Sequence, residues 1–133
     1  MEPDPYGAEE ERLMPYIYMV RCTDRSLYTG ITTDMARRMR EHCGRKKSGA
    51  KYTKSHPLQS LEMVWEAETW TLAAKLEYRI KQLEKNQKEE LLSHPEKVNE
   101  WPSLRQPDVI YRPHPEMNLD CFLSRRNDTE ESS

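Results

Sequence analysis

The sequence has only three cysteines and no long apolar run. These two features argue against a disulfide-rich protein, a zinc-binding protein and a membrane-spanning protein. Cys22, Cys43 and Cys121 are an odd number with no pair at zinc-ligand spacing, so we expect reduced thiols rather than a disulfide framework or a structural zinc site. No apolar stretch approaches the ~20 residues that cross a bilayer, and the acidic N-terminus lacks the basic and apolar regions of a signal peptide. We therefore expect a cytoplasmic protein without a membrane segment.

The length and composition predict one folded domain with extensions. A chain of 133 residues is too short for two independent cores, and with 33% charged residues part of it is expected to lie outside the core. Helical periodicity stops after residue 93, where five of the nine prolines follow. The predicted parts are an acidic extension (1–13), a domain (14–93), a partly packed Pro-rich extension (94–123) and a disordered tail (124–133).

The net charge of −2 hides a basic centre between acidic ends. The domain carries fifteen Lys and Arg residues against ten acids, and within residues 37–54 eight basic residues stand against Glu41 alone. Such a density favours an anionic partner, above all the phosphate backbone of a nucleic acid, with a merely solvated basic loop as the alternative. The eight residues are Arg37, Arg38, Arg40, Arg45, Lys46, Lys47, Lys51 and Lys54.

Residue patterns predict the order β-β-α-β-α. Two β-branched and aromatic runs separated by a polar turn predict a hairpin, and Thr33 or Asp34 is suited to cap the helix that follows. The predicted strands are 16–22, 27–31 and 61–66, and the predicted helices are 35–43 and 69–85, with 87–92 as a continuation or a third helix. We therefore expect an α+β fold in which helices flank a small, mainly antiparallel three-stranded sheet.

Six residues of the domain have side chains suited to phosphate chemistry. Each also has a plain structural explanation: aromatic residues are common in strands, a histidine suits a helix C-terminus, and a Glu four residues before a Lys forms an ordinary helix ion pair. No single residue decides between these interpretations. The six are Tyr18 and Tyr28 in the hairpin, Arg38 and His42 four apart on the first helix, Lys51 in the basic segment, and Glu77 on the second helix.

The arrangement of these residues resembles the GIY-YIG nuclease superfamily. The tripeptides at 16–18 and 28–30 are similar to its two signature motifs, and residues 34–42 are similar to its first helix. Residues 49–53 resemble a segment of the small bacterial single-domain branch and of the related catalytic domain of the eukaryotic structure-specific endonuclease. Residues 73–81 resemble the helix that carries the metal-binding glutamate.

The resemblance implies a metal-dependent endonuclease. Glu77 would bind Mg²⁺ (or Mn²⁺), Arg38 would hold phosphate oxygens, and Tyr18 or Tyr28 would orient or deprotonate water. His42 and Lys51 would supply positive charge or relay the proton. From the charge density we also expect Lys51 and six further basic residues to bind nucleic acid, so that the predicted set is Arg37, Arg40, Arg45, Lys46, Lys47, Lys51 and Lys54.

The resemblance also implies a nucleic-acid partner, for which we expect DNA, although RNA presents the same phosphates. Because no dedicated recognition domain is visible in the sequence, we expect a preference for branched or damaged DNA and a role in DNA repair or processing at the nucleoid. Two alternatives remain open. One is a nucleic-acid-binding module of the same fold without cleavage activity. The other is an added role for the C-terminal extension in binding a protein partner.

Overall fold

The computed structural model describes residues 14–43 and 57–122. Residues 1–13, 44–56 and 123–133 lie outside the described residues, and with them the predicted acidic extension, most of the basic stretch and the predicted tail 124–133. The expectations for Arg45, Lys46, Lys47, Lys51 and Lys54 therefore stay predictions.

A four-stranded antiparallel sheet forms the centre of the fold. Strands β1 (Tyr16–Cys22) and β2 (Leu27–Thr32) form the predicted hairpin, and β3 (Leu58–Glu66) pairs with the other side of β1. A two-residue strand, β4 (Arg112–Pro113), pairs with the end of β3 and gives the order β2-β1-β3-β4. The predicted α+β fold with an antiparallel sheet is confirmed. The sequence-based strand count was one too low, because β4 is a two-residue edge strand inside a proline-rich segment.

Among the described residues, three α-helices of nine or more residues flank the sheet. Helix α1 (Met35–Cys43) follows Asp34, whose carboxylate accepts a hydrogen bond from the Arg37 backbone N–H at 3.0 Å. Helix α2 (Trp70–Lys81) is shorter than the helix predicted over residues 69–85, and α3 (Lys85–Ser93) is a separate third helix, one of the two possibilities that the sequence left open for residues 87–92. The break lies at Glu84, which forms a capping box with Gln87 and so begins a new helix.

Alternating residues of β1 belong to two hydrophobic clusters, one on each face of the sheet. Ile17 and Met19 point to one face of the sheet and belong to a cluster with residues of α2 and α3. Tyr18 and Val20 point to the other face and pack with Met39 and other residues of α1 and β3. The central strand therefore positions α1 on the opposite face from α2 and α3.

The C-terminal extension packs closely on the domain. The buried Tyr111 hydroxyl donates to the Leu72 carbonyl at 2.9 Å, and the Trp65 ring N–H donates to the Pro95 carbonyl at 2.9 Å. The Asn99 side chain bonds both the backbone N–H and the carbonyl of Tyr111, each at 2.9 Å. These bonds satisfy polar groups that packing would otherwise leave without partners.

Within the two described stretches, no helix has the length and apolar character needed to span a membrane.

We expect Asn99→Ala to lower the free energy of unfolding by about 1–3 kcal/mol, because it leaves two polar groups of a buried residue without partners. Chemical denaturation of the full chain measures this change. Asn86→Ala, at an exposed position on α3, is the control and should change stability by less than about 0.5 kcal/mol. Equal stability of both variants would show that Asn99 does not fasten the extension.

Candidate active site

Tyr18 lies at the centre of a buried hydrogen-bond network between β1 and α1. Its side chain is fully buried. The Arg38 Nε–H donates to the Tyr18 hydroxyl oxygen at 3.0 Å, and the His42 Nε2 atom lies 2.8 Å from the same oxygen. Because Arg38 can only donate, the hydroxyl proton of Tyr18 is available to the lone pair of a neutral His42.

The sequence of α1 brings Arg38 and His42 to one tyrosine. They are four residues apart and therefore share a helix face, while the buried Met35 and Met39 anchor the adjacent apolar face to the sheet. Glu41 accepts a second hydrogen bond from Arg38 at 2.8 Å and so fixes its orientation. The sequence-based prediction missed this role of Glu41, although its i+3 spacing from Arg38 was a signal.

The Tyr18 ring lies against Gly30, where there is no side chain to block it. The two residues pair directly across β1 and β2. A Cβ atom at position 30 would lie 2.6 Å from the Tyr18 Cζ atom, which is closer than real contacts allow. The glycine of the second tripeptide is therefore required by close approach of a side chain.

Tyr28 extends the site towards α2. Its ring centroid lies 5.6 Å from that of His42 and 6.3 Å from that of Tyr18. Unlike Tyr18, Tyr28 is only half-buried. The Lys81 ammonium lies 5.6 Å from the Tyr28 ring centroid, and its Nζ atom is 3.1 Å from the Glu77 carboxylate. The structure therefore brings all five predicted catalytic residues into one region.

Burial sets the protonation states of the network. Burial, with a smaller effect of the Arg38 charge, lowers the pKa of His42 to about 4, so this imidazole is neutral at pH 7. Burial also raises the pKa of the Tyr18 phenol, and the hydrogen bond and charge of Arg38 only partly oppose it. Tyr18 is therefore protonated at neutral pH.

The Arg38 guanidinium keeps its charge in this setting. Burial disfavours the charged form, but the hydrogen bonds to Tyr18 and Glu41 outweigh it and raise the pKa of Arg38. The predicted nucleic-acid-binding residues Arg37 and Arg40 are exposed on the same helix. Arg37 pairs with Asp34 and Glu41 at 4.0 and 3.7 Å.

The Glu77 carboxylate has the chemistry expected for a hard divalent cation. It is partly exposed at the edge of the site, and its negative charge contributes to the raised pKa of Tyr18. Among the described residues, no group of three or more His, Cys, Asp or Glu side chains could hold a metal ion. A single carboxylate is compatible with an ion such as Mg²⁺, which typically takes one or two protein carboxylates and completes its shell with water and phosphate.

Comparison with known proteins identifies the family. The GIY-YIG catalytic domain matches residues 14–90 of the chain, which span every element from β1 to most of α3. The chain belongs to the GIY-YIG family. It is therefore a member of a nuclease family whose proteins bind nucleic acid and generally depend on metal ions.

Relatives of the chain are small bacterial proteins. It is 42% identical to the UPF0213 protein YhbQ of Salmonella arizonae over 95 residues, which are 71% of this chain and 93% of YhbQ. It is 43% identical to the UPF0213 protein FN1575 of Fusobacterium nucleatum over 81 residues, 61% of this chain and 79% of that protein. These names state no activity, but they confirm the predicted small bacterial branch.

A solved structure also matches this GIY-YIG protein. It is the solution NMR structure of the UPF0213 protein BH0048 from Bacillus halodurans, which is 34% identical. The match covers 60% of this chain and 83% of that one, with a TM-score of 0.40.

We expect His42 to make stability depend on pH. Its folded pKa of about 4 lies below the ordinary value of 6.5, so the unfolded chain binds more protons and the free energy of unfolding falls as the pH drops from 6.5 to 4. The His42→Gln variant has no imidazole at this position, so its stability lacks this dependence on pH. The stability difference between wild type and variant should change by about 1 kcal/mol per pH unit in that window. A difference that is constant from pH 4 to 6.5 would contradict the buried neutral state of His42.

Proposed function

We propose that this protein is a metal-dependent endonuclease that hydrolyses phosphodiester bonds of DNA. The observation that carries the proposal is the fixed Arg38–Tyr18–His42 network next to a partly exposed carboxylate, Glu77. A protein that only bound phosphate would need surface cations but would not need a buried phenol, a neutral imidazole and an acidic group beside them. The family supports a nuclease, and these residues support the reaction type.

Arg38 is proposed to stabilise the negative charge that grows on the phosphate. Its Nε–H and one terminal nitrogen are held by Tyr18 and Glu41, so the guanidinium is oriented before substrate arrives. A charge that is already oriented stabilises a transition state without further reorganisation. Arg38 is also partly exposed, which leaves the remaining N–H groups within reach of phosphate oxygens.

Glu77 is proposed to hold the divalent cation, Mg²⁺ or Mn²⁺, which when bound would act as a Lewis acid towards a phosphate oxygen. A carboxylate oxygen is a preferred ligand of both ions. The partial exposure of Glu77 leaves space for the water and phosphate ligands that complete the metal's shell.

Burial suggests different roles for the two tyrosines. Tyr28 is half-buried and is assigned to orient the attacking water. Tyr18 is fully buried, has a raised pKa and is bonded to Arg38 and His42, so it is assigned to position those two side chains. His42 is neutral at pH 7, so it is assigned to relay a proton through its bond with Tyr18 rather than to supply positive charge.

The proposed substrate is DNA with a branch or lesion, handled in DNA repair or processing at the nucleoid. The basic residues predicted from the sequence would bind the phosphate backbone around the cleavage site, with Lys51 adding charge near the water. Phosphate contacts position a nuclease but carry no sequence information. Binding through the basic residues between positions 37 and 54 is therefore expected to recognise DNA structure rather than a long DNA sequence.

The proposal is tested with labelled linear, flapped and branched DNAs incubated with the full chain with and without Mg²⁺. We expect metal-dependent cleavage, fastest on a flapped or branched DNA. Glu77→Gln keeps the side-chain shape but loses the charge, and should lower the rate about 100-fold or more while DNA binding changes little.

Glu68→Gln is the matched control because Glu68 is exposed and precedes α2. It should retain the wild-type rate. The catalytic proposal is wrong if no DNA of the panel is cleaved in Mg²⁺ or Mn²⁺, and the metal assignment is wrong if Glu77→Gln cleaves at full rate. DNA binding without any cleavage would favour the non-catalytic module.

A further inference from the structure

Lys81 contacts two residues of the candidate active site, Glu77 and Tyr28. It lies at the end of α2, where its Nζ atom is 3.1 Å from a carboxylate oxygen of Glu77, one helical turn earlier. The same ammonium lies 5.6 Å from the centroid of the Tyr28 ring. One cation therefore contacts both the carboxylate assigned to the metal and the tyrosine assigned to the water.

We propose that Lys81 is an exchangeable counter-ion: it neutralises Glu77 before the metal binds and moves to the substrate phosphate once the metal takes the carboxylate. This inference rests on the proposed function, because it assumes that Glu77 is the metal ligand. It assigns to Lys81 a role that the family resemblance does not include.

Charge repulsion drives the first half of the exchange. A divalent cation and an ammonium group that compete for the Glu77 carboxylate repel each other. Lys81 is therefore expected to leave the Glu77 carboxylate if a divalent cation binds there. The pair is a partly exposed i, i+4 helix ion pair, and such pairs contribute little to stability, so separating it costs little.

The surroundings of Lys81 indicate where the displaced ammonium goes. Its side chain is 44% exposed and has a long flexible stem, so it can move without repacking the core. The face of the Tyr28 ring attracts a cation only weakly at an exposed position. The strongest new anion is the phosphate that arrives with the substrate. Arg38 is also proposed to contact the phosphate, but it does not exchange between two anions, because Tyr18 and Glu41 hold it in place.

The first test measures binding of Mn²⁺ alone to the full chain by electron paramagnetic resonance. We expect Lys81→Met to bind Mn²⁺ about 2- to 5-fold more tightly than wild type, because the competing cation is gone. Lys75→Met removes the same charge from an exposed position on α2 and should leave the affinity within about 1.5-fold of wild type. Unchanged or weaker Mn²⁺ binding by Lys81→Met overturns the proposal.

The second test measures single-turnover DNA cleavage at saturating metal and DNA. We expect Lys81→Met to be about 10- to 100-fold slower despite its tighter metal binding, and Lys81→Arg to recover most of the rate because it keeps the positive charge. If the Lys81–Glu77 ion pair had only a structural role, its loss in Lys81→Met would not raise the metal affinity and lower the cleavage rate at the same time. A wild-type rate for Lys81→Met overturns the phosphate role.

Glu77→Gln separates failure of the inference from failure of the proposed function. If Glu77→Gln loses Mn²⁺ binding and Lys81→Met equals wild type, only the role of Lys81 is wrong. If Glu77→Gln binds Mn²⁺ as tightly as wild type, the metal assignment is wrong and the inference about Lys81 is wrong with it.

Discussion

A phenol hydroxyl buried between a strand and a helix is the constraint on which the site depends. The Tyr18 oxygen cannot reach bulk water, so it needs partners inside the protein. Arg38 and His42 supply them from α1, and Gly30 leaves the space that the ring requires. Satisfying one buried group therefore fixes the two side chains that are suited to act on a phosphate.

The second half of the site depends on how α2 lies against the domain. One side of this helix faces the C-terminal extension, where Leu72 and Arg79 accept and donate hydrogen bonds. The other side carries Glu77 and Lys81, and Lys81 reaches Tyr28 on β2. The extension thus packs on α2 opposite the site, and it contributes Val98, Leu104 and Tyr111 to the main core. This core continues past residue 90, where the family match ends.

Local signals in the sequence were sufficient for most of the fold. The alternation of β1, the cap at Asp34 and the periodicity of α2 are short-range patterns, and the structure confirms the hairpin and both predicted helices as elements. The sequence left open whether residues 87–92 continue the second helix or form a third, because it is helical in character on both sides of the capping box that Glu84 and Gln87 form. Strand β4 was missed because two residues carry no periodicity, and its pairing with β3 is a tertiary contact.

The candidate site was predictable as a set of residues but not in its electrostatics. The i, i+4 spacing of Arg38 and His42 indicated a shared face, whereas their common partner lies twenty or more residues away on β1. Burial is a property of the whole fold, so the raised pKa of Tyr18 and the lowered pKa of His42 could not be obtained from spacing. The burial and raised pKa of Tyr18 are the basis on which the proposed function gives the two tyrosines different roles.

The most direct test of this account is the single-turnover cleavage rate of Tyr18→Phe at saturating DNA and Mg²⁺. The variant keeps the buried ring and removes only the hydroxyl that Arg38 and His42 share. Because small displacements of positioned groups cost about 100-fold in rate, we expect a loss of that order with DNA affinity within about twofold of wild type. A Tyr18→Phe variant that folds normally and cleaves at the wild-type rate would contradict the account, because the site would not depend on the buried hydroxyl.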